Sequence, residues 1–375
     1  MKELQITGQD AKQRLDKYLK RVFPEMGTSF MYKMLRKKNI TLNKKKATGA
    51  EQIQVGDVVQ CFFSDETFDK FAGVLVSESN MNNAGTPKND EMSNGNDFGN
   101  KKSAFEYGVV GECQRAYDTL KGIAVIYEDE HILLLDKPAG VLSQKAKPED
   151  LSLNEWMIGY LLEKGTVSAD SLKRFKPSVC NRLDRNTSGL VICGKTLTGS
   201  REMSRMLKDR SLQKYYRTYV HGRIEGKKTL TAFHRKDAKN NQAAICYNVS
   251  EADKKEYDEI ITAYRSIESK KDYSYLEIEL ITGKTHQIRA HLSAYGHPIV
   301  GDSKYGVIRG VGKNERTFLS SEKTVNYPKH QLLHAYRIVF PKLEDDLAYL
   351  SGKEFVCEEP KVFMRFKKDV FDGTK

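Results

Sequence analysis

The chain has 375 residues, of which 62 are Lys or Arg and 50 are Asp or Glu, so its formal net charge is +12 at pH 7. This length allows two or three domains and excludes a small disulfide-held scaffold, and the six cysteines contain no Cys-x-x-Cys pair that would indicate a zinc site. The positive charge favours a polyanionic partner such as nucleic acid, whereas no apolar run approaches the ~20 residues that span a bilayer.

Two further features of the sequence indicate the cellular compartment of the protein. The first residues, MKELQITGQDAKQ, contain no apolar signal-peptide core. The cysteines are scattered along the chain, as is usual for reduced thiols. We therefore expect a cytoplasmic protein that makes no contact with a membrane.

The first predicted element is a helix over residues 10–22. Asp10 is expected to cap this helix, and Gln13 is expected to reach back to the cap. Apolar side chains recur at the i, i+3, i+4 and i+7 spacing of one buried helix face, at Leu15, Tyr18, Leu19 and Val22.

A second helix is predicted to follow Thr28 or Ser29 and to have two different faces. Met31, Met34 and Leu35 form an inward stripe, while basic side chains occupy the opposite side. Beyond this helix, the segments ITLN and VGDVVQCFF predict short strands on either side of a run of lysines. One face of the second helix is thus expected to pack, and the other to remain available for phosphates.

Residues 1–64 resemble the S-four-like RNA-binding domain of ribosomal proteins and RNA-modifying enzymes. The match rests on RLDK at positions 14–17 and GDVV at positions 56–59. One departure lies in the segment LNKKKATGA, where a glycine is expected in the turn and this chain has lysine. The resemblance implies a small α/β domain that binds RNA, and we assign this binding to Lys33, Arg36, Lys37, Lys38, Lys44, Lys45 and Lys46.

Residues 65–121 are predicted to be a linker. Within them, residues 80–100 hold seven asparagines, three glycines and a proline, with almost no apolar side chains. Such a segment cannot bury enough apolar surface to offset the entropy lost on ordering. We therefore expect residues 80–100 to be mobile.

Residues 122–375 are predicted to form the second domain, in which strands and helices are mixed. The segment GIAVIYEDEHILLLDKPAG predicts two strands joined by an acidic turn. Apolar and acidic residues alternate over 276–280, which predicts a strand with one buried face, and residues 285–295 predict a helix that ends before Gly296. This order of elements favours an α+β fold over alternating βαβ units.

The segment CNRLDRNTSGLVICGKT, residues 180–196, raises a question about Asp184. Taken alone, Asp184 is explained as closing a turn, because Asn, Thr, Ser and Gly follow it. A nucleophilic carboxylate would instead need a nearby guanidinium to keep it ionised when it is shielded from water. Arg182 and Arg289 are the candidates, and the alternative for Arg289 is a surface ion pair.

The same segment resembles the signature of the RluA-type pseudouridine synthases, whose usual form begins His-Arg-Leu-Asp. Further matches, in the family's order over roughly residues 122–365, are YEDEHILLLDKPAGVLSQ, KYYRTYVHG, ITGKTHQIRAHLSAYGHPIVGDSKYG and LLHAYRIVFP. An S-four-like module is a common N-terminal partner in this family. The resemblance implies an α+β catalytic domain with a mixed, largely antiparallel sheet.

The resemblance also implies roles for individual residues. Asp184 would be the nucleophile that converts uridine to pseudouridine, Tyr216 would pack against the target base, and Arg289 would pair with Asp184. Arg182 would enter the space left when the base leaves its stack. We assign substrate binding to Arg182, Asn181, Lys284 and His286, the last at the substrate backbone.

The chemical route stays open at this point. The carboxylate could attack the anomeric carbon, attack the uracil ring or abstract a sugar proton, and all three routes use an ionised Asp184. A role for Tyr216 as proton acceptor at ring carbon five is also open. Nothing is oxidised and no group is transferred, so we expect no cofactor.

Two further expectations concern side chains that could exchange protons or bind metal. Asn181 replaces the family's usual histidine and cannot exchange protons near neutral pH, which leaves it a hydrogen-bonding role only. His286, His291 and His297 lack the spacing and the partners of a metal site, so we expect no metal.

The partner is expected to be RNA. The N-terminal module favours large-subunit ribosomal RNA over transfer RNA, and we expect a monomer. The alternative is a catalytically silent RNA-binding or ribosome-assembly protein on the same fold. An aspartate-dependent hydrolase is disfavoured, because the sequence contains neither a metal-ligand cluster nor a nucleophile elbow.

Overall fold

The computed structural model describes residues 2–8, 10–24, 26–64, 67–68, 71, 106–237, 242–250, 253–270, 272–308, 316–317, 328–344 and 346–372. Grouped by contacts between residues, the chain forms two compact units, one of residues 1–115 with 159–176 and one of residues 116–158 with 177–375. The asparagine-rich stretch 80–100 lies outside the described residues. The domain limits expected from the sequence, at 64 and 122, stay predictions. No helix in the described part of the chain combines the length and the apolar character that a membrane crossing requires.

The first unit contains a small sheet and two short helices near the N-terminus. In chain order the elements are β1 (Lys2–Gln5), β2 (Gln13–Arg14), α1 (Leu15–Val22), α2 (Thr28–Arg36), β3 (Ile40–Leu42), β4 (Lys45–Lys46), β5 (Gln52–Ile53) and β6 (Val58–Cys61). Four strands pair in the order β1-β6-β3-β4, and β2 pairs with β5. The apolar stripes of both helices enter one core, with Leu15, Leu19, Met31 and Leu35 buried and Val22 and Met34 partly buried.

The first helix is shorter than its periodicity predicts. Residues 13–14 form β2 and pair with β5, so α1 begins only at Leu15. The expected cap at Asp10 is wrong, because the Asp10 carboxylate accepts hydrogen bonds from the Thr7 hydroxyl and the Arg21 guanidinium. Gln13 does reach back as expected, and its Nε2 donates to the carbonyl of Asp10 at 2.7 Å. A strand pairing between residues far apart in the sequence has overridden a local capping signal.

The hairpin between β3 and β4 turns at Asn43 and Lys44, whose φ angles of 50° and 62° lie in the left-handed region. A two-residue hairpin with the right-handed twist of its strands needs two such residues. The side chain of Asn43 fixes the turn, because it donates to Asp57 Oδ1 at 2.8 Å and accepts the N–H of Val58 at 2.8 Å. Lys44 thus occupies a left-handed position that favours glycine, and its side chain is exposed.

From residue 106 onward the chain mixes helices with longer strands. After a π-helical turn (Glu106–Val110), the elements are α3 (Gly111–Thr119), β7 (Ala124–Glu128), β8 (Ile132–Lys137), α4 (Leu153–Glu163), α5 (Ala169–Arg174), β9 (Ser178–Val179), β10 (Ser188–Gly194), α6 (Leu197–Asp209), β11 (Gln213–His221), β12 (Lys227–Asp237), β13 (Gln242–Cys246), β14 (Asp258–Lys270), β15 (Tyr273–Leu280), α7 (Gln287–Ala294), β16 (Val307–Ile308), β17 (Arg316–Thr317), β18 (Leu333–Val339), β19 (Glu354–Val356) and α8 (Lys361–Lys367). Short 3-10 turns occupy Lys254–Glu256 and Ala348–Leu350, and a π turn occupies Lys368–Asp372.

One large sheet dominates the second unit. Eleven of the described strands form it, in the order β13-β12-β14-β15-β11-β18-β10-β8-β7, with β9 beside β10 and β19 beside β18. The pairing of β10 with β18 is parallel, and the other strand pairs described in this sheet are antiparallel. This mixed, largely antiparallel sheet with helices confirms the α+β class.

Strand β10 follows the Asp184 loop and is buried along its whole length. Its second residue, Gly189, has a φ of 113°, and a Cβ there would lie 2.2 Å from the carbonyl oxygen of Ala335. Only glycine permits β10 and β18 to approach so closely. Gly189 therefore serves strand packing, and this packing fixes where the Asp184 loop ends.

Strand β15 departs from the expectation of one buried face. Its acidic residue Glu277 is itself buried. The carboxylate accepts hydrogen bonds from the guanidinium of Arg265 and the hydroxyl of Tyr336. Side chains from β14 and β18 cover the carboxylate of Glu277 and satisfy its charge, and alternation along the sequence does not reveal these partners.

Candidate active site

Asp184 lies in the loop between β9 and β10, and hydrogen bonds hold this loop on both sides of it. The hydroxyl of Ser143 donates to the carbonyl of Leu183 at 2.8 Å and accepts the N–H of the same residue at 3.0 Å. On the other side, the ammonium of Lys137 donates to the carbonyl of Arg185 at 3.1 Å. The backbone around Asp184 is therefore fixed, while its side chain keeps 26% of its surface exposed.

Lys137 is fully buried at the end of β8. Its ammonium also donates to the carbonyls of Pro138 at 3.1 Å and Val141 at 2.8 Å. Burial lowers the pKa of Lys137 to about 7, although the charges of Asp184 and Asp136 act in the opposite direction. Three carbonyl acceptors need the three donors of an ammonium group, so we assign Lys137 as charged. Sequence reasoning missed this residue, although it belongs to the matching LDKPAG segment.

Arg289, in α7, makes the charge contact that a partly buried carboxylate needs. Its Nη1 donates to Asp184 Oδ2 at 2.7 Å. The rest of the guanidinium is held by Asp302, with Nε to Oδ2 at 2.7 Å and Nη2 to Oδ1 at 3.0 Å. Burial opposes the charge of Arg289, but hydrogen bonds and charge from Asp302, together with Asp184, raise its pKa above the ordinary value. The alternative of a surface ion pair is wrong, because the Arg289 side chain is only 8% exposed.

Asp302 was not found by sequence reasoning. Its side chain is fully buried, and it also accepts the backbone N–H groups of Lys304 at 2.9 Å and Tyr305 at 3.0 Å. A bidentate carboxylate fixes the plane of a guanidinium. Asp302 therefore directs the remaining Nη1 of Arg289 at Asp184. The only signal in the sequence was its place in the matching segment GDSKYG.

Tyr216, on β11, lies beside Asp184. Both residues line a cavity of about 60 Å³, whose apolar wall includes Leu280 and Leu333. Burial, and then the negative charge of Asp184, raise the pKa of Tyr216. A phenol that stays protonated suits a platform for a base better than a proton acceptor, so the geometry favours the first of the two roles considered for Tyr216.

His286 does not lie inside the helix predicted over 285–295, because α7 begins at the next residue. It adopts a φ of 54°, in the left-handed region. Its Nε2 is 3.9 Å from Asp184 Oδ1, and its Nδ1 is 3.0 Å from the hydroxyl of Tyr305. Burial lowers the pKa of His286, with Asp184 opposing and Arg289 reinforcing this shift. The imidazole therefore faces the carboxylate in its neutral form.

The other residues assigned to the substrate differ in how freely they face the cavity. Arg182 is exposed at its edge. Lys284 also borders it, and its ammonium lies 2.7 Å from Asp258 Oδ1. Asn181 borders only the outer cleft, and its Oδ1 accepts the N–H of Ile192 at 2.7 Å. Part of the hydrogen-bonding capacity of Asn181 is thus used within the protein.

A wider cleft of about 920 Å³ surrounds this cavity and is lined by many cations. Asp184 is the one carboxylate among the described residues that line it. The basic residues are Lys145, Arg182, Arg185, Lys208, Arg210, Lys214, Lys236 and Lys284. Such a lining suits a polyanion. Six of these eight were not singled out from the sequence, because they come from separate segments that only folding brings together.

The basic residues assigned in the first unit are all exposed: Lys33, Arg36, Lys37, Lys38, Lys44, Lys45 and Lys46. On α2 they stand opposite the buried Met31 and Leu35, as the two-faced helix predicts. This arrangement leaves their charges accessible to phosphates.

The histidines considered for a metal have separate protein partners. Nδ1 of His291 contacts the Thr262 hydroxyl at 3.0 Å, and Nδ1 of His297 contacts the carbonyl of His221 at 2.9 Å. Within the described residues, one group of three potential ligands does come together, at Asp136, His334 and Cys357. All six cysteines are described, and none forms a disulfide bond.

Comparison with known proteins places this geometry in a family. Residues 131–294 match the family model described as RNA pseudouridylate synthase. An uncharacterized RNA pseudouridine synthase of Mycoplasma genitalium is 29% identical over 343 residues, which cover 90% of this chain and 89% of that protein. The ribosomal large subunit pseudouridine synthase D of Borreliella burgdorferi is 30% identical over 256 residues, covering 68% of this chain and 70% of that protein.

Among solved structures, human RNA pseudouridylate synthase domain containing 4 aligns with a TM-score of 0.52 at 18% identity, covering 69% of this chain and 97% of that one. This likeness supports the fold. The sequence matches identify the chain as a member of the RluA-type RNA pseudouridine synthase family, whose enzymes isomerise uridine to pseudouridine in RNA.

Proposed function

We propose that this enzyme converts specific uridines of large-subunit ribosomal RNA to pseudouridine, with Asp184 as the catalytic carboxylate. The observation that carries the proposal is the contact of 2.7 Å between Asp184 Oδ2 and Arg289 Nη1, beside Tyr216, at the base of a cleft lined by cations. The guanidinium of Arg289 holds one oxygen of this carboxylate and places a positive charge beside it. An ionised oxygen facing an aromatic wall is what the isomerisation needs.

The residues around Asp184 have different roles in this proposal. Because Arg289 occupies Oδ2, the other oxygen, Oδ1, is directed at the substrate. Tyr216 supplies a protonated aromatic platform for an extruded uracil, and Arg182 at the cavity edge fills the space that the base leaves in the RNA. Extruding a base costs about a few kcal/mol, which these contacts offset. All three chemical routes use this same arrangement, and none needs a cofactor.

The remaining assignments rest on charge and on the relatives. Ribosomal RNA is favoured over transfer RNA because the Borreliella burgdorferi relative is named for the ribosomal large subunit. We propose that residues 1–64 are an S-four-like RNA-binding domain, supported by its exposed lysines and arginine. We propose that the enzyme acts on rRNA in the cytoplasm as a monomer. Asn181, Lys284 and His286 are proposed to contact the target nucleotide.

The test uses purified full-length protein and large-subunit rRNA transcripts. The wild-type protein should form pseudouridine at discrete positions, and Asp184→Asn should abolish it while RNA affinity stays largely unchanged. Asp170→Asn is the matched control, because Asp170 is a surface residue with a side chain 77% exposed, and it should behave as wild type. Identical uridine content with wild type and Asp184→Asn would instead favour a catalytically silent RNA-binding protein.

A further inference from the structure

Tyr305 connects three parts of the active site. Its ring centroid lies 5.3 Å from the guanidinium carbon of Arg289. Its backbone N–H donates to Asp302, the residue that orients Arg289. Its hydroxyl reaches both the N–H of Ala243, at 2.7 Å, and Nδ1 of His286, at 3.0 Å. None of these contacts was expected from the sequence.

The hydrogen bonds of the Tyr305 hydroxyl fix where its proton points. The backbone N–H of Ala243 can only donate, so the hydroxyl oxygen accepts it. Among the described residues, His286 Nδ1 is then the acceptor available for the hydroxyl proton. If Nδ1 carried a proton instead, the hydroxyl proton of Tyr305 would have no acceptor among the residues that the structure describes. The contacts therefore place the imidazole proton on Nε2, the nitrogen that faces Asp184.

His286 lines the cavity, and its Nε2 makes no hydrogen bond to any of the residues that the structure describes. Its distance of 3.9 Å from Asp184 Oδ1 is too long for a hydrogen bond. His286 also holds its left-handed backbone conformation at the first turn of α7, where its carbonyl accepts the N–H of Ala290 at 2.9 Å. Residues kept in sparsely populated backbone conformations often serve a site. The long distance between Nε2 and Asp184 leaves the Nε2–H group available to an atom that enters with the substrate.

Building on the proposed function, we infer that His286 donates a hydrogen bond through Nε2 to a uracil or phosphate oxygen of the bound uridine nucleotide, and that Tyr305 is the positioning residue that fixes this tautomer.

The charges around His286 support a neutral ring. Burial, Arg289 and Lys304 disfavour a proton on the second nitrogen, whereas Asp184 and Asp302 favour it, and the balance lowers the pKa of His286. The hydroxyl of Tyr305 acts in the same direction as burial, since it donates to Nδ1 and so stabilises the neutral form. A neutral donor keeps its proton on Nε2 across the neutral pH range, as a fixed contact to the substrate requires.

The tautomer can be measured without RNA and without activity. Protein labelled with ¹⁵N-histidine should give, at pH 7, the two-bond proton–nitrogen pattern of an Nε2–H imidazole for His286, assigned by loss of its signals in His286→Gln. An Nδ1–H pattern or an imidazolium would overturn the inference. This result stands apart from the proposed function, which fails if Asp184→Asn stays active whatever the tautomer of His286.

Tyr305→Phe tests the positioning role. It removes the hydroxyl and keeps the ring, so the pKa of His286 should rise and the spectrum of its neutral ring should show a mixture of the two tautomers. Tyr349→Phe removes a hydroxyl that contacts Asp129 and is the control, with no shift expected. An unchanged pKa and tautomer of His286 in Tyr305→Phe would contradict the role of Tyr305.

The donor role is tested by two substitutions at His286. His286→Leu should lower kcat by about 100-fold, whereas His286→Gln, which keeps a donor, should stay within about tenfold. The acceptor is then located with rRNA transcripts made with 2-thiouridine, 4-thiouridine or phosphorothioate uridine linkages. The penalty of His286→Leu should shrink for the transcript whose acceptor oxygen is sulfur. An equal penalty with all of these transcripts would overturn the proposed contact.

Discussion

The two units use positive charge in opposite ways. In the first unit, the side chains of several lysines and one arginine on α2 and on the β3–β4 hairpin are exposed to solvent. In the second unit, the guanidinium of Arg289 is buried and shared between Asp184 and Asp302. Exposed charges attract an RNA backbone from solution, and each is worth little alone. A buried, fully paired charge instead fixes one carboxylate in one place, so a change to it affects both catalysis and folding.

The largest effect is expected at Arg289. Arg289→Lys keeps the charge but loses the planar fork that grips Asp302, so we expect kcat to fall by ~100-fold or more. The substitution should also lower the free energy of unfolding by about 3 kcal/mol, because the buried carboxylate of Asp302 loses part of its pairing. Arg205→Lys, on an exposed ion pair of α6, is the control. Near wild-type kcat in Arg289→Lys would show that the fork does not position Asp184.

The second prediction concerns stability in acid. Burial lowers the pKa of His221, His291 and His334 to about 4 in the folded protein. Below pH ~6.5 the unfolded chain binds protons at these imidazoles and the folded chain does not. The free energy of unfolding therefore falls as the pH falls, and by pH 4 the loss is about 3 kcal/mol for each histidine.

Urea denaturation between pH 7 and pH 4 measures this loss. His291→Gln should make the pH dependence less steep, because it removes one of the three buried titrating groups, and Lys255→Gln, an exposed substitution, should leave it as in wild type. A flat dependence in the wild-type protein would contradict the assignment of these histidines as neutral and buried.

A smaller effect is expected in the first unit. Replacing Lys33, Arg36 and Lys37 together by Gln should weaken rRNA binding and lower the slope of log affinity against log salt by up to about three, because each cation that neutralises a phosphate contributes about one to this slope. The unfolding midpoint should not move, because all three side chains are exposed. The matched control replaces the exposed lysines Lys255, Lys361 and Lys368 by Gln, and an equal change of slope there would show that the α2 face has no special role.

The smallest effect is expected for Asn181→His, which restores the residue usual in the family. The Asn181 side chain accepts the N–H of Ile192, and a histidine nitrogen can accept it too. We expect pseudouridine formation within a few-fold of wild type, measured under single-turnover conditions. A large gain or loss would mean that position 181 exchanges protons during the reaction.

The sequence predicted what depends on local pattern and on motif. The apolar periodicity of α1 and α2 located their buried faces, and Asp184, Tyr216 and Arg289 were named from the matching segments. The start of α1 was predicted wrongly, because a strand pairing with β5 outcompeted the cap at Asp10.

The supporting residues of the site could not be predicted from pattern. Asp302 and Tyr305 act through contacts with α7 and β13, and Ser143 acts across 40 positions of sequence. Their side-chain types are common in turns, and nothing local distinguishes them. These residues have their roles because they are buried beside particular partners, and only the fold determines which partners these are.

The central claim is that the carboxylate of Asp184 performs the isomerisation. The most direct measurement maps pseudouridine site by site in large-subunit rRNA from cells that lack this gene and carry either the wild-type or the Asp184→Asn copy. The account predicts that specific sites return with the wild-type copy and stay uridine with Asp184→Asn at equal protein level. Restoration of the same sites by Asp184→Asn would contradict it.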